Sequence, residues 1–141
     1  MDKTSVAIKW YRFEHWLWKH NMKCCAQIVY HMMQMLFGCT IPLQVVMEQG
    51  VNIAHFHGIV IHPDTVIKQG TMIYQNVTLG GRNGETGILI GENCRIYAGA
   101  CVLGNITIGN NVSVGANAVV LHDCPDNSTV VGVPGKIISK T

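Results

Sequence analysis

Charge is scarce in this 141-residue chain: charged residues make up 13% of it, and ten basic against eight acidic side chains leave a formal net charge of +2. A balance so close to neutral gives no electrostatic footprint for nucleic acid, and no long basic run appears outside the N-terminal segment. Also missing is an apolar run long enough to cross a bilayer. The strongest candidate, "CCAQIVYHMMQMLFG" (24–38), is broken by Gln27, His31 and Gln34 and falls short of the roughly 20 residues that a spanning helix needs. The six cysteines include no C-x-x-C pair and no zinc-knuckle spacing. The opening stretch "MDKTSVAIKWYRFEHW" scatters charge where a secretory signal would be apolar. The expectation is a cytoplasmic protein whose cysteines stay reduced, mostly as small buried apolar side chains. With 48% hydrophobic residues, the chain can still bury one core.

What is present divides at Gly38. Segment 1–38 carries apolar side chains at helical spacing: Trp10, Phe13 and Leu17, then Ile28, Met32, Met35 and Leu36. Asn21 offers a turn, and Gly38 followed by Pro42 makes a stop, which predicts two short helices. Their basic residues (Lys3, Lys9, Arg12, Lys19, Lys23) beside Trp10, Trp16 and Trp18 could rest on the inner face of a membrane. Packing against their own domain or a neighbouring subunit is the commoner fate and the one expected.

Beyond Pro42 a period of six takes over. Ile41, Met47, Ile53 and Ile59 keep it, then Ile61, Ile67, Ile73 and Leu79, then Ile90, Ile96, Val102, Ile108, Val114 and Val120. A second apolar or small series runs two places earlier, through Ile88, Cys94, Ala100, Ile106, Val112 and Ala118. An amphipathic helix repeats at about 3.6 and cannot hold this pattern. A parallel β-helix can, each unit giving one short strand and one turn, with glycine and asparagine at the corners. The fold class expected is therefore mainly β: a parallel β-helix over 39–123 after a short helical segment, with a tail over 124–141 closing it. Two interruptions stand out, one between Ile59 and Ile61 and one between Leu79 and Ile90, where a glycine-rich loop (80–88) leaves the coil. Departures from a monotonous repeat are where function concentrates.

The first interruption adjoins "IAHFHGIVIH" (53–62), which holds His55, His57 and His62. In a regular strand His55 and His57 would share a face, while His62 falls on the other parity beside Pro63 and reads as a turn residue. Parity and the lack of a carboxylate before Asp64 disfavour a metal site, so no metal is expected.

The repeat, together with "NVTLGG" (76–81), "VLGNITIG" (102–109), "VGANAVVL" (114–121) and "VGVPGKII" (131–138), resembles the hexapeptide-repeat acyltransferases. It is most similar to their serine acetyltransferase-like branch, which includes polysaccharide O-acetyltransferases. The resemblance covers residues 36–139 and implies a left-handed coil, an exception to the usual crossover hand. It also implies a homotrimer with acetyl-CoA bound in clefts between subunits. By this resemblance His55, three residues before Gly58, is the general base, a role that a neutral imidazole suits near physiological pH. His57 becomes an acceptor-site candidate. Gly80, Gly81, Ala98 and Ala116 match positions along the pantetheine arm, and Lys136 matches a basic partner for the nucleotide phosphate. Arg82, without family support, is a further phosphate or acceptor contact.

The departures bear on the acceptor. The family's aspartate fifteen residues before the histidine is Thr40 here, the acidic residue just before it is Ala54, and the arginine–histidine pair of the long loop is replaced by Thr86 and Gly87. Free L-serine would then lack partners for its charges. A sugar or polysaccharide-precursor hydroxyl is therefore the expected acceptor, with serine O-acetylation the alternative and a non-catalytic scaffold or metal-binding protein the third reading. A backbone carbonyl, Glu48 or Glu85 would orient His55. The short helical segment favours a trimer over a hexamer.

Overall fold

The computed structural model describes residues 5–139; Lys3 lies outside them, as do Lys140 and Thr141 of the tail. Two helices come first, α1 (Val6–Lys19) and α2 (Lys23–Phe37). Asn21 turns the chain between them at φ 62°. Gly38 ends α2 in the left-handed region at φ 59°, its N–H bonded to the Gln34 carbonyl. The buried face shares only Leu17 and the partly buried Trp10 with the expected stripe. Ala7, Ile8, Tyr11 and Leu17 of α1 and Ala26 and Met33 of α2 face inward, whereas Phe13, Ile28, Met32, Met35 and Leu36 stay exposed. Each helix carries apolar side chains on more than one face, and the small Ala7 and Ala26 allow close approach on the buried one.

The β-helix follows in coils of three strands. The first holds β1 (Val46–Met47), β2 (Asn52–Ile53) and β3 (Val60–Ile61); the second holds β4 (Val66–Ile67), β5 (Met72–Ile73) and β6 (Thr78–Gly80). The third holds β7 (Leu89–Ile90), β8 (Arg95–Ile96) and β9 (Cys101–Leu103), and the fourth β10 (Thr107–Ile108), β11 (Ser113–Val114) and β12 (Val119–Val120). Then β13 (Ser128–Val131) stacks in parallel on β11, and β14 (Lys136–Ser139) pairs antiparallel with β13 to close that face. Three parallel faces result: β1-β4-β7-β10, then β2-β5-β8-β11-β13, then β3-β6-β9-β12. The solenoid is a left-handed parallel β-helix. The second residue of nearly every two-residue strand points inward, and Ile53, Ile61, Ile67, Ile73, Ile90, Ile96, Ile108 and Val114 are all at most 1% exposed.

A full coil is eighteen residues, as Leu89↔Thr107 and Cys101↔Val119 demonstrate. Val46↔Val66 steps by twenty and Val66↔Leu89 by twenty-three, so two insertions widen the coil. The first insertion does not fall between Ile59 and Ile61, as the sequence suggests. Ile59 belongs to the inward series two places before a strand residue, with Ile88 and Ala100, and the two extra residues lie in the corner 54–58.

The corners explain the asparagines. Every described non-glycine residue with positive φ is an asparagine, and Gly58, Asn76, Gly99 and Asn117 occupy one corner in successive coils. Asparagine tolerates this conformation better than other side chains. A Cβ on Gly99 would lie 2.1 Å from the Asn117 Oδ1, so position 99 has no room for a side chain beside that asparagine. Gly91 is tight for another reason, since its Cβ would stand 2.5 Å from the Gly109 carbonyl oxygen. Gly91→Ala is expected to cost about 1–3 kcal/mol through this backbone overlap, read as a lowered midpoint in urea unfolding.

Candidate active site

His55 lies in a loop corner rather than a strand, so the strand-parity argument for His57 does not apply. Aromatic rings hold this corner. Phe56 packs edge-on against Phe37 of α2 (4.9 Å between centroids), Phe37 meets Trp10 of α1 (5.8 Å), and His57 rests on Phe56 at 4.5 Å. Gly58 donates its N–H to the Gly38 carbonyl at 3.0 Å, and Asn76 donates to the His57 carbonyl at 2.9 Å. The anchored Phe56 leaves its neighbours His55 and His57 exposed to solvent.

The register places further residues on the same edge of the prism. Ile53, Ile73, Ile96 and Val114 stack in line, so His55, Gln75, Ala98 and Ala116 stand two residues past them in successive coils. One residue earlier, Ala54, Tyr74, Tyr97 and Gly115 each donate an N–H to the next coil at 2.8–3.0 Å. The N–H groups of Gln75, Ala98 and Ala116 have no acceptor among the described residues. From His55 to Ala116 is three coil rises, roughly 14 Å at strand spacing. Val131 lies one coil beyond Gly115, and Lys136, paired with Val131 on β14, stands one strand further out at the far end of this edge. An exposed imidazole followed by a file of free N–H donors suits an elongated ligand with its reactive end at His55.

Gln75 escaped the sequence reading. Its Oε1 is buried with no hydrogen-bond partner, and it lies one coil from His55. The twenty-residue spacing from His55 was the available signal. Tyr74 stacks on Tyr97 at 5.2 Å beside it, walling the edge.

Gly80, Gly81, Arg82 and Glu85 stand on the next edge, across the β3-β6-β9-β12 face. Arg82 and Glu85 exchange backbone hydrogen bonds at 2.9 Å around Asn83 (φ 53°) and Gly84 (φ 82°), a tight Asn-Gly hairpin. Gly81 is explained by that hairpin, since its Cβ would sit 3.1 Å from the Glu85 carbonyl oxygen. Gly80 is not, because a Cβ there would make ordinary contacts at 3.5 Å; its bare surface is open to a ligand.

Neither carboxylate named for orienting His55 shares its edge. The Glu48 Oε2 accepts the Gln69 N–H at 3.0 Å on the third edge, and Glu85 belongs to the hairpin. Thr40, in the family's aspartate position, has its hydroxyl oxygen 3.4 Å from the Gln34 Nε2. Among the described residues no side chain hydrogen bonds the His55 ring, and no group of three metal-ligating side chains lies together. His62 sits in a turn, its Nδ1 accepting the Asp64 N–H at 3.3 Å. Burial pushes the Cys39 and Cys124 thiols up to about 11, which keeps both protonated and inert, while Cys24 and Cys25 are exposed rather than buried.

The model of the bacterial transferase hexapeptide family (six repeats) matches residues 87–122. With the coiled fold, this places the chain in the hexapeptide-repeat superfamily. A serine acetyltransferase of Synechococcus elongatus is 38% identical over 138 residues, 96% of this chain and 57% of that protein. The crystal structure of serine acetyltransferase from Vibrio cholerae aligns with a TM-score of 0.88 at 34% identity, covering 96% of this chain and 54% of that one. A serine acetyltransferase in complex with CoA aligns at 0.86 and 36% identity, covering 94% and 55%. The chain belongs to the serine acetyltransferase-like branch of the hexapeptide-repeat acyltransferases. It spans just over half the length of the relatives it matches.

Proposed function

We propose that this chain is an acetyl-CoA-dependent O-acetyltransferase with His55 as general base. The observation that carries the reading is the edge itself: an exposed imidazole at one end, free N–H groups along it and Lys136 at the other end. The bare surface at Gly80 and the small Ala98 and Ala116 fit a pantetheine arm, and Lys136 would face the nucleotide phosphate. His55 accepts the proton of the acceptor hydroxyl as its oxygen attacks the thioester carbonyl carbon. A backbone N–H stabilises the developing oxyanion, and the imidazolium returns the proton to the departing thiolate. The Arg82–Glu85 hairpin and the His55 edge lie on opposite sides of one face. A homotrimer with sites at its subunit boundaries would bring the two edges together.

For the acceptor, the relatives' names support L-serine better than the sugar hydroxyl that the sequence reading put first. A neutral acceptor is the second reading, favoured by uncharged residues where the resemblance expects acids: Thr40 is engaged by Gln34, Ala54 is a methyl, and no carboxylate among the described residues shares the His55 edge. Thiol release from acetyl-CoA, measured with L-serine and with a panel of sugars, separates them. Robust serine-dependent turnover is the expected result. Turnover with sugars alone establishes the second reading, and none with any hydroxyl compound overturns the enzyme assignment.

A further inference from the structure

We infer that the α1–α2 hairpin is a docking surface for an anionic lipid bilayer. The two helices pack on each other and on the start of the β-helix. Ile8 and Tyr11 of α1 and Met33 of α2 join its core, and Leu17 and Ala26 pack with Leu43. The inward faces are therefore filled, and the outward faces carry what remains. On α1, Val6, Lys9, Phe13, Trp16 and His20 follow at helical spacing, with Phe13 and Trp16 about half exposed. On α2 the outward row is Ile28, Met32, Met35 and Leu36, and Met35 is 86% exposed. No helix among the described residues is long and apolar enough to cross a membrane, so this surface would rest on a bilayer rather than enter it.

Charge selects the partner. The exposed charges of the hairpin are all positive: Lys9, Arg12, Lys19 and Lys23. Its one carboxylate, Glu14, is fully buried, and every other described acidic residue lies beyond Gly38 in the β-helix. A second copy of the chain would need only apolar complementarity. Four cations interleaved with exposed tryptophan, phenylalanine and methionine instead match anionic headgroups above an acyl boundary, where each Lys or Arg contributes about fivefold in partitioning.

The test is flotation of the full chain with phosphatidylcholine vesicles and with phosphatidylcholine–phosphatidylglycerol vesicles. The expected result is binding to the anionic vesicles only, weakened by salt, with a blue shift of tryptophan emission. Lys9→Glu/Arg12→Glu should reduce binding by at least about 25-fold, and Met35→Ser should also weaken it, with both variants keeping the wild-type melting temperature. The inference is overturned by absence of binding, or by equal binding to neutral vesicles. It is also overturned if Met35→Ser leaves vesicle binding intact and lowers the oligomer mass in sedimentation, which would make the face a contact between copies.

Discussion

His55→Ala is expected to lower acetyl transfer by about 10²–10⁴-fold, the usual range for removing a general base, without loosening the fold. The second half of that expectation follows from where the residue sits. His55 is exposed, its ring bonds to no described side chain, and Phe56 rather than His55 fills the space beneath the corner. Exposed substitutions of this kind shift stability by no more than about 0.5 kcal/mol. His57→Ala is the comparison: it loses a ring contact with Phe56 at 4.5 Å but stands two residues along the chain from His55, outside the file that begins there. A much smaller loss in that variant, with both keeping the wild-type melting curve, assigns the base to position 55. Thiol release at saturating acetyl-CoA is the measurement. Wild-type turnover in His55→Ala would falsify the assignment.

The sequence made the coil legible because its signal is one-dimensional. An inward aliphatic every six residues needs no knowledge of what lies across the molecule, and asparagine or glycine at each positive-φ corner repeats the same information. The corner at 54–58 was harder. Ile59 keeps a six-residue step from Ile53, so it passes for a strand residue, although the insertion has already moved it into the other inward series. Once that corner is a loop, alternation no longer decides which way His55 and His57 point; the anchoring of Phe56 by Phe37 does, and that contact joins α2 to the first coil. The helical stripe misled for a related reason. Phe13, Ile28 and Met35 satisfy the helical period, yet burial went to the face carrying Ala7 and Ala26, because fit against the β-helix decides between two apolar faces. Glycines likewise divide only in three dimensions: Gly81 is needed by its own hairpin, whereas a Cβ on Gly80 would make only ordinary contacts.

The same register limits how the site can be assembled. Candidates that look adjacent in sequence, such as Gly80 and Arg82, stand on a different edge from His55, whereas Ala98 and Ala116 stand on the His55 edge despite their distance along the chain. The file of free N–H groups therefore belongs to one edge, and in the homotrimer proposed above the hairpin edge of a neighbouring subunit would face it. Gln75, half-buried and with its Oε1 unpartnered, stands between His55 and Ala98 in the file.

Glu14→Gln is expected to stabilise the protein, and to do so more strongly as pH rises. Glu14 is fully buried under α1, and neither carboxylate oxygen has a hydrogen-bond partner. Desolvation pushes its pKa up to about 8. The groups around it give no compensating charge: the Tyr11 hydroxyl is committed to the Val45 carbonyl, and Tyr30 and Cys39 are neutral groups that Glu14 itself pushes upward. Folded Glu14 therefore binds its proton more tightly than the unfolded chain does. Its contribution is most favourable below the ordinary carboxylate pKa and falls as pH rises towards about 8, where the buried group must ionise. At about 1.4 kcal/mol per pKa unit, the loss across that window is on the order of 3–5 kcal/mol. Glutamine keeps the shape and cannot ionise, so unfolding midpoints of the two proteins should nearly coincide near pH 4 and separate by pH 8. Parallel curves across that range would mean that Glu14 finds a proton or a partner by another route. Glu14→Met tests the remaining cost, because it also removes the unpartnered polar atoms and should exceed glutamine at every pH. The hairpin that carries Glu14 also holds Phe37 against Phe56, so a loss of its stability at alkaline pH would reach the His55 corner. Acetyl transfer by Glu14→Gln should accordingly persist to higher temperature than wild type at pH 8 and show no such advantage near pH 5.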